Sequence, residues 1–158
     1  MRTLIVGVGN PILGDDAVGI IVAKKLREKL TNTNDETDII EFSGSPIKLA
    51  EMMLNYDQVI IIDCVKVENR KPGDIIIYDY NNDDILNFDY HAPSPHDIDF
   101  FSILKYFKES VPDMLPKEIR IIGINCPLNI TFSEKLSEPI RNTINNIVDT
   151  ILYDLIKR

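Results

Sequence analysis

Val59, Ile60, Ile61 and Ile62 stand in an unbroken apolar run that is closed by Asp63 and Cys64. A short strand with an apolar side chain at every position has to be covered on both faces, which is the condition of a parallel strand packed between helices. Residues 3–8 repeat the pattern and end in glycines. Further strands read at residues 38–42, 74–78 and 118–124. Helical stretches fall between and after them. One follows Asp15 and Asp16, either of which can cap it, and carries a stripe of Ile20, Ile21, Ala23, Leu26 and Leu30. A second starts at Pro46, a residue suited to a first helical turn, and runs to about Asn55. A third opens at Ser94, Pro95, His96 and Asp97 and runs to about Glu109. The last is capped by Ser137 and buries Ile140, Ile144, Ile147, Val148, Ile151 and Leu155. Strands alternating with helices predict an α/β fold: three layers, with a mostly parallel five-stranded sheet and helices on both faces. At 158 residues the whole chain, 1–158, fits one domain with a substantial core.

The formal charge is −8, from 17 basic and 25 acidic side chains. Such a balance repels phosphate backbones and anionic lipid surfaces, so neither nucleic acid nor membrane is an expected partner. No stretch approaches the ~18 apolar residues of a membrane span. The opening MRTLIVGVGN lacks the long apolar core of a signal peptide. With only Cys64 and Cys126, a reducing, cytoplasmic location without a disulfide is expected.

In sheets of this type ligands gather at the carboxyl ends of the strands. That rule selects residues 9–16, 43–45, Asp63 with Cys64, and Asn125 with Cys126; residues 91–97 can reach the same edge. Gly7-Val8-Gly9 after a strand suggests a dinucleotide turn. However, Ile12 stands where a third glycine belongs, and Asp15 and Asp16 would repel a pyrophosphate. The same carboxylates suit a cation. Asp16 also has a plain reading as a helix cap. Asp63, behind four apolar residues, needs a donor, a cation or a metal to offset burial. The only histidines are His91 and His96, and each alone reads as a surface residue. His96 has the more fixed direction, in the first turn of a helix. Asp16, Asp63 and His96 together offer hard oxygen and borderline nitrogen ligands, which suit nickel or zinc with open positions. Cys64 and Cys126 read as inert buried thiols, with a soft auxiliary ligand as the other reading. Neither a Gly-x-Ser-x-Gly elbow nor a His-Glu-x-x-His helix is present.

The ordered series Gly7-Val8-Gly9-Asn10-Pro11-Ile12-Leu13-Gly14-Asp15-Asp16-Ala17-Val18-Gly19, Val59-Ile60-Ile61-Ile62-Asp63, Pro72-Gly73-Asp74, Ser94-Pro95-His96-Asp97 and Ile121-Ile122-Gly123-Ile124, closing with Leu136-Ser137, resembles the hydrogenase maturation protease family over nearly the whole chain. The resemblance implies an aspartyl-type endopeptidase. It would remove a C-terminal extension from the large-subunit precursor of a nickel–iron hydrogenase after nickel insertion. It also implies that nickel arrives with the precursor, and that Asp16, Asp63 and His96 are the metal-contacting and catalytic residues. Many members have an acidic turn after the second strand; here Ser43-Gly44-Ser45-Pro46 lacks that carboxylate. Cys126 with its proline, and the Ser-Pro-His-Asp stretch, resemble the branch serving deazaflavin-reducing hydrogenases of methanogens. Three other classes remain open from sequence: a docking or chaperone module that binds the nickel-loaded precursor without cutting it, a nucleotide-binding α/β enzyme, and an unrelated metal hydrolase.

Overall fold

The computed structural model describes residues 1–30, 36–80, 100–127 and 131–156, with residues 155 and 156 described by their backbone alone. Its strands are β1 (Thr3–Val8), β2 (Thr37–Phe42), β3 (Gln58–Val65), β4 (Ile75–Asp79) and β5 (Glu118–Asn125). Its α-helices are α1 (Val18–Lys29), α2 (Pro46–Met53), α3 (Phe100–Ser110) and α4 (Glu138–Ile156). The strands form one sheet in the order β2-β1-β3-β5-β4. All neighbours run parallel except β4, which lies antiparallel on the outer side of β5.

The doubly buried strands sort their side chains as alternation requires. Val59 and Ile61 of β3 join Leu4, Val6, Leu49, Met53 and Leu104 on the face covered by α2 and α3. Ile60 and Ile62 join Ile5, Val22, Leu26, Ile140 and Ile147 on the face covered by α1 and α4. Each fully buried Ile or Leu contributes about 1.5–3 kcal/mol relative to exposure. The expected three-layer α/β architecture is therefore observed.

The chain passes from β1 through α1 to β2 on one side of β1, then returns through α2 to β3 on the other side. The sheet order thus reverses between β1 and β3. At such a point the two connections leave on opposite faces, and the carboxyl ends of the two strands border a crevice. Residues 9–17 follow β1, and Asp63 lies near the end of β3, so both acidic positions border this crevice.

Several boundaries differ from the sequence expectation. β3 continues through Asp63 and Cys64 to Val65 because β5 extends alongside it, pairing Asp63 with Gly123 and Cys64 with Ile124. Asp63 is therefore inside a strand rather than in the turn beyond it. α2 starts as expected, with the Ser45 hydroxyl accepting the Lys48 N–H at 3.3 Å and Pro46 in the first turn. It ends at Met53 because Leu54 is extended and Asn55 adopts φ 68° with its N–H donated to Met114 O. The expected start of the third helix at Ser94 lies outside the described residues; α3 is described from Phe100.

Candidate active site

β1 gives way at Gly9 to a tight turn and then to a 3-10 turn at Gly14–Ala17 that leads directly into α1. Asn10 organises the first turn: its side-chain oxygen accepts the Ile12 N–H at 3.2 Å and its carbonyl accepts the Leu13 N–H. This is the local bonding that makes Asn a turn residue. The backbone N–H of Asn10 donates to Asp16 Oδ2 at 2.8 Å. Asp16, half-buried, is thereby fixed to the end of β1.

Two close backbone approaches hold the turn over the strand ends. A Cβ on Gly19 would lie 2.2 Å from the carbonyl oxygen of Ile62 and 2.6 Å from that of Val8. The first turn of α1 therefore rests on β1 and β3 together. A Cβ on Gly9 would lie 2.0 Å from the carbonyl oxygen of Asp16. A Cβ on Gly7 would lie 2.1 Å from the carbonyl oxygen of Gly19, so close packing accounts for both glycines of the Gly-Val-Gly segment without any nucleotide: they admit a helix to the sheet.

The adjacent acids divide their work differently from a simple helix cap. Neither caps α1, whose N-cap position is Ala17 without a side-chain hydrogen bond. Asp15 is buried and accepts from both the backbone N–H and the hydroxyl of Ser137, each at 2.7 Å. Ser137 is itself the residue whose carbonyl accepts the first N–H bond of α4, from Arg141. Asp15 thus ties the acidic turn to the start of α4, where a negative charge is favoured by the helix dipole. Asp16, bonded to the Asn10 N–H at the end of β1, borders the crevice.

Asp63 is half-buried, and its Oδ1 accepts the N–H of Cys64 at 2.7 Å. By alternation its side chain leaves the sheet on the same side as Val59 and Ile61, the side covered by α2 and α3. Cys64 points the other way and packs against the α1–α4 core. Its thiol is pushed far above the usual thiol range, first by a hydrogen bond with Cys126, then by burial, and further by the charges of Cys126, Asp63 and Asp16. Both carboxylates thus act on one point at the end of β3. The thiol stays protonated at neutral pH and is a poor nucleophile, because the thiolate is the reactive form. Cys126 is buried, with its Sγ 3.4 Å from Ile124 O and 3.9 Å from Asp15 O. Cys64→Ser is therefore expected to keep kcat/KM for peptide cleavage within about threefold of wild type, in line with an unreactive thiol. A steady-state assay checks this, and loss of turnover beyond a hundredfold would assign the thiol a chemical role.

Asn125, another strand-end candidate, is used structurally. Its amide donates to the carbonyls of Arg70 and Lys71, both at 3.1 Å, and its Oδ1 accepts the Val67 N–H at 2.9 Å. It closes the loop before β4, and both of its amide hydrogens are spent there. Ser43 and Ser45 follow β2, where Ser45 caps α2.

Asp16 and Asp63 are thus brought to one crevice, while His96 and His91 lie outside the described residues. Among the described residues, no three His, Cys, Asp or Glu side chains are gathered as a metal-binding group. The two carboxylates suit a hard or borderline cation as two of its ligands and leave further positions to other donors. Asn10 and Asp15 are the residues sequence reasoning undervalued. An Asn directly after a glycine turn was a signal for the first; the partner of Asp15 lies 122 residues away and left no local signal.

A doubly wound sheet with Asp16 and Asp63 bordering its switch point defines an α/β protein with an acidic strand-end crevice. The family model described as "Hydrogenase maturation protease" matches residues 20–154, and the chain belongs to that family of peptidases. It is 27 % identical over 127 residues to the hydrogenase 2 maturation protease of Escherichia coli, covering 78 % of this chain and 73 % of that protein. It is 28 % identical over 158 residues to a Methanocaldococcus jannaschii protein with a provisional maturation-protease name, covering 96 % and 86 %. That source is consistent with the methanogen branch. In structure, it superposes with TM-score 0.80 on the hydrogenase maturating endopeptidase of E. coli, at 24 % identity and covering 99 % and 93 % of the two chains, a likeness of fold. With a hydrogenase 2 maturation peptidase from a Thaumarchaeota archaeon the TM-score is 0.69 at 27 % identity, covering 98 % of each chain. Among the described residues no helix is long and apolar enough to cross a membrane.

Proposed function

We propose that this protein is the cytoplasmic endopeptidase that removes the C-terminal extension of a nickel–iron hydrogenase large-subunit precursor once nickel is in place. The observation that carries the reading is the pair of carboxylates, Asp16 and Asp63, bordering the switch point of a chain that belongs to a family of maturation proteases. Nickel is part of the substrate. Asp16, Asp63 and His96 are the side chains of this protein that approach it, and their oxygen and nitrogen donors match its preferences. Docking on the metal fixes the scissile bond beside the crevice, which lowers the barrier by positioning. An aspartate left clear of the metal takes a proton from the attacking water, the role of a general base. No nucleophilic side chain is required, in keeping with a Cys64 thiol held protonated.

This reading predicts that the purified protein cleaves nickel-loaded precursor at least a hundredfold faster than the same precursor prepared without nickel. It also predicts that His96→Ala loses cleavage and binding of the loaded form, whereas His91→Ala retains both. Equal rates on loaded and nickel-free precursor, followed by mass spectrometry, would remove nickel from the recognition step.

A further inference from the structure

We infer that Asp15 is a positioning residue for peptide cleavage, which acts through its paired hydrogen bonds to Ser137 to hold the neighbouring Asp16 at the crevice. The inference rests on the endopeptidase reading above. It adds a part of the chain, the start of α4, that lies 122 residues from Asp15 in sequence.

Asp15 is too deeply buried to act on the precursor directly. It is 6 % exposed, and one residue takes up both of its carboxylate oxygens: Oδ1 accepts the Ser137 N–H and Oδ2 the Ser137 hydroxyl, each at 2.7 Å. Burying a carboxylate is costly, and a neutral side chain could join a turn to a helix without that cost. What the carboxylate adds is a fork. Two charge-assisted bonds to one residue fix orientation as well as distance. The fork is also the last of a series of bonds. Ser133 N–H donates to Ile12 O at 2.9 Å, and Gly14 N–H donates to Ser133 O at 2.8 Å. Residues 133–137 thus run as a strap along residues 12–15, stiffened where Ser133 Oγ accepts the Lys135 N–H at 3.0 Å.

The strap's last bonds fall one residue short of Asp16. Within the turn, Asp16 N–H donates to Leu13 O at 3.2 Å, and Val18 N–H donates to Asp15 O. Hydrogen bonds of the 3-10 kind have poorer geometry than those of an α-helix, so the turn needs support from outside itself. Asn10 N–H holds one oxygen of the Asp16 side chain, at 2.8 Å. The Asp15 fork holds the backbone from which that side chain springs. Gly9 closes the way toward β1, since even a Cβ there would lie 2.0 Å from Asp16 O. A turn released from Ser137 therefore moves away from β1 and takes the Asp16 carboxylate with it. Misplacing a reacting group by about 1 Å costs about 10²-fold in rate.

The test measures cleavage of the nickel-loaded large-subunit precursor by the full-length protein and by Ser137→Ala, Ser137→Thr, Asp15→Ala and Asp15→Ala/Ser137→Ala. All are assayed at a temperature where thermal melts show them folded. Ser137→Ala keeps the backbone N–H and removes one arm of the fork. It is expected to lose about ten- to a hundredfold in kcat/KM, with the loss persisting at saturating precursor. Ser137→Thr keeps both donors and is expected to restore the rate to within about threefold of wild type. The two alanine changes cut the same link, so the double variant is expected to be no slower than Asp15→Ala alone. Should Asp15→Ala not fold, Ser137→Ala and Ser137→Thr decide between them. A folded Ser137→Ala that cuts at the wild-type rate, a threonine variant as slow as the alanine one, or losses at Asp15 and Ser137 that multiply would each overturn the positioning role while the endopeptidase reading stands. A wild-type protein that leaves the precursor intact overturns both.

Discussion

Asp63→Asn is expected to lower kcat/KM for precursor cleavage by about a thousandfold while the melting temperature stays within a few degrees of wild type. The substitution keeps the volume and keeps an Oδ1 able to accept the Cys64 N–H. What it removes is the charge, and with it the capacity to bind a cation or to accept a proton from water. General-base catalysis alone accounts for about 10²–10⁴ in rate. Asp63 and Asp16 are like charges that both act on the Cys64 thiol, so neutralising Asp63 relieves repulsion between the two carboxylates. Parallel thermal melts and initial-rate assays separate the two effects. A variant that melts normally and cuts normally would reduce Asp63 to a strand residue with a local hydrogen bond.

Gly19→Ala is expected to have the largest effect on the scaffold. The added methyl would lie 2.2 Å from one strand carbonyl and 2.6 Å from another, and neither β1 nor β3 can give way inside a paired sheet. The helix must lift from the strand ends. Overpacking in a tight site costs about 1–3 kcal/mol, and contact with two backbone oxygens places this case at the upper end. For a chain of this size that corresponds to a fall of about 10 °C in melting temperature. Because α1 follows directly on the turn bearing Asp16, kcat should fall with it, including at temperatures where the variant is fully folded. Denaturant titration and activity at low temperature check both parts; a variant as stable and as active as wild type would mean that the helix does not rest on the sheet there.

Much of this could be read from the chain because its signals are local. Four apolar residues in a row at 59–62 have no stable place outside a doubly covered strand, and a carboxylate directly behind them demands a partner. The helix starts at Pro46 and after Ser137 are likewise written in neighbouring residues. The errors came where long-range pairing decides. Whether Asp63 ends β3 or lies within it depends on how far β5 runs beside it. That Asp15 is tied to the start of α4 depends on Ser137, at the other end of the chain. Asn125 qualified as a site residue by its position at a strand end, yet its amide is consumed by a loop that only the fold brings to it.

Intact mass of a nickel-loaded hydrogenase large-subunit precursor, read before and after mixing with the purified protein, addresses the functional account as a whole. Loss of a C-terminal peptide is the result expected, with no change when Asp16 and Asp63 are both replaced by Asn. A precursor that binds the protein and keeps its full mass would contradict the account and make the chain a docking module for hydrogenase assembly.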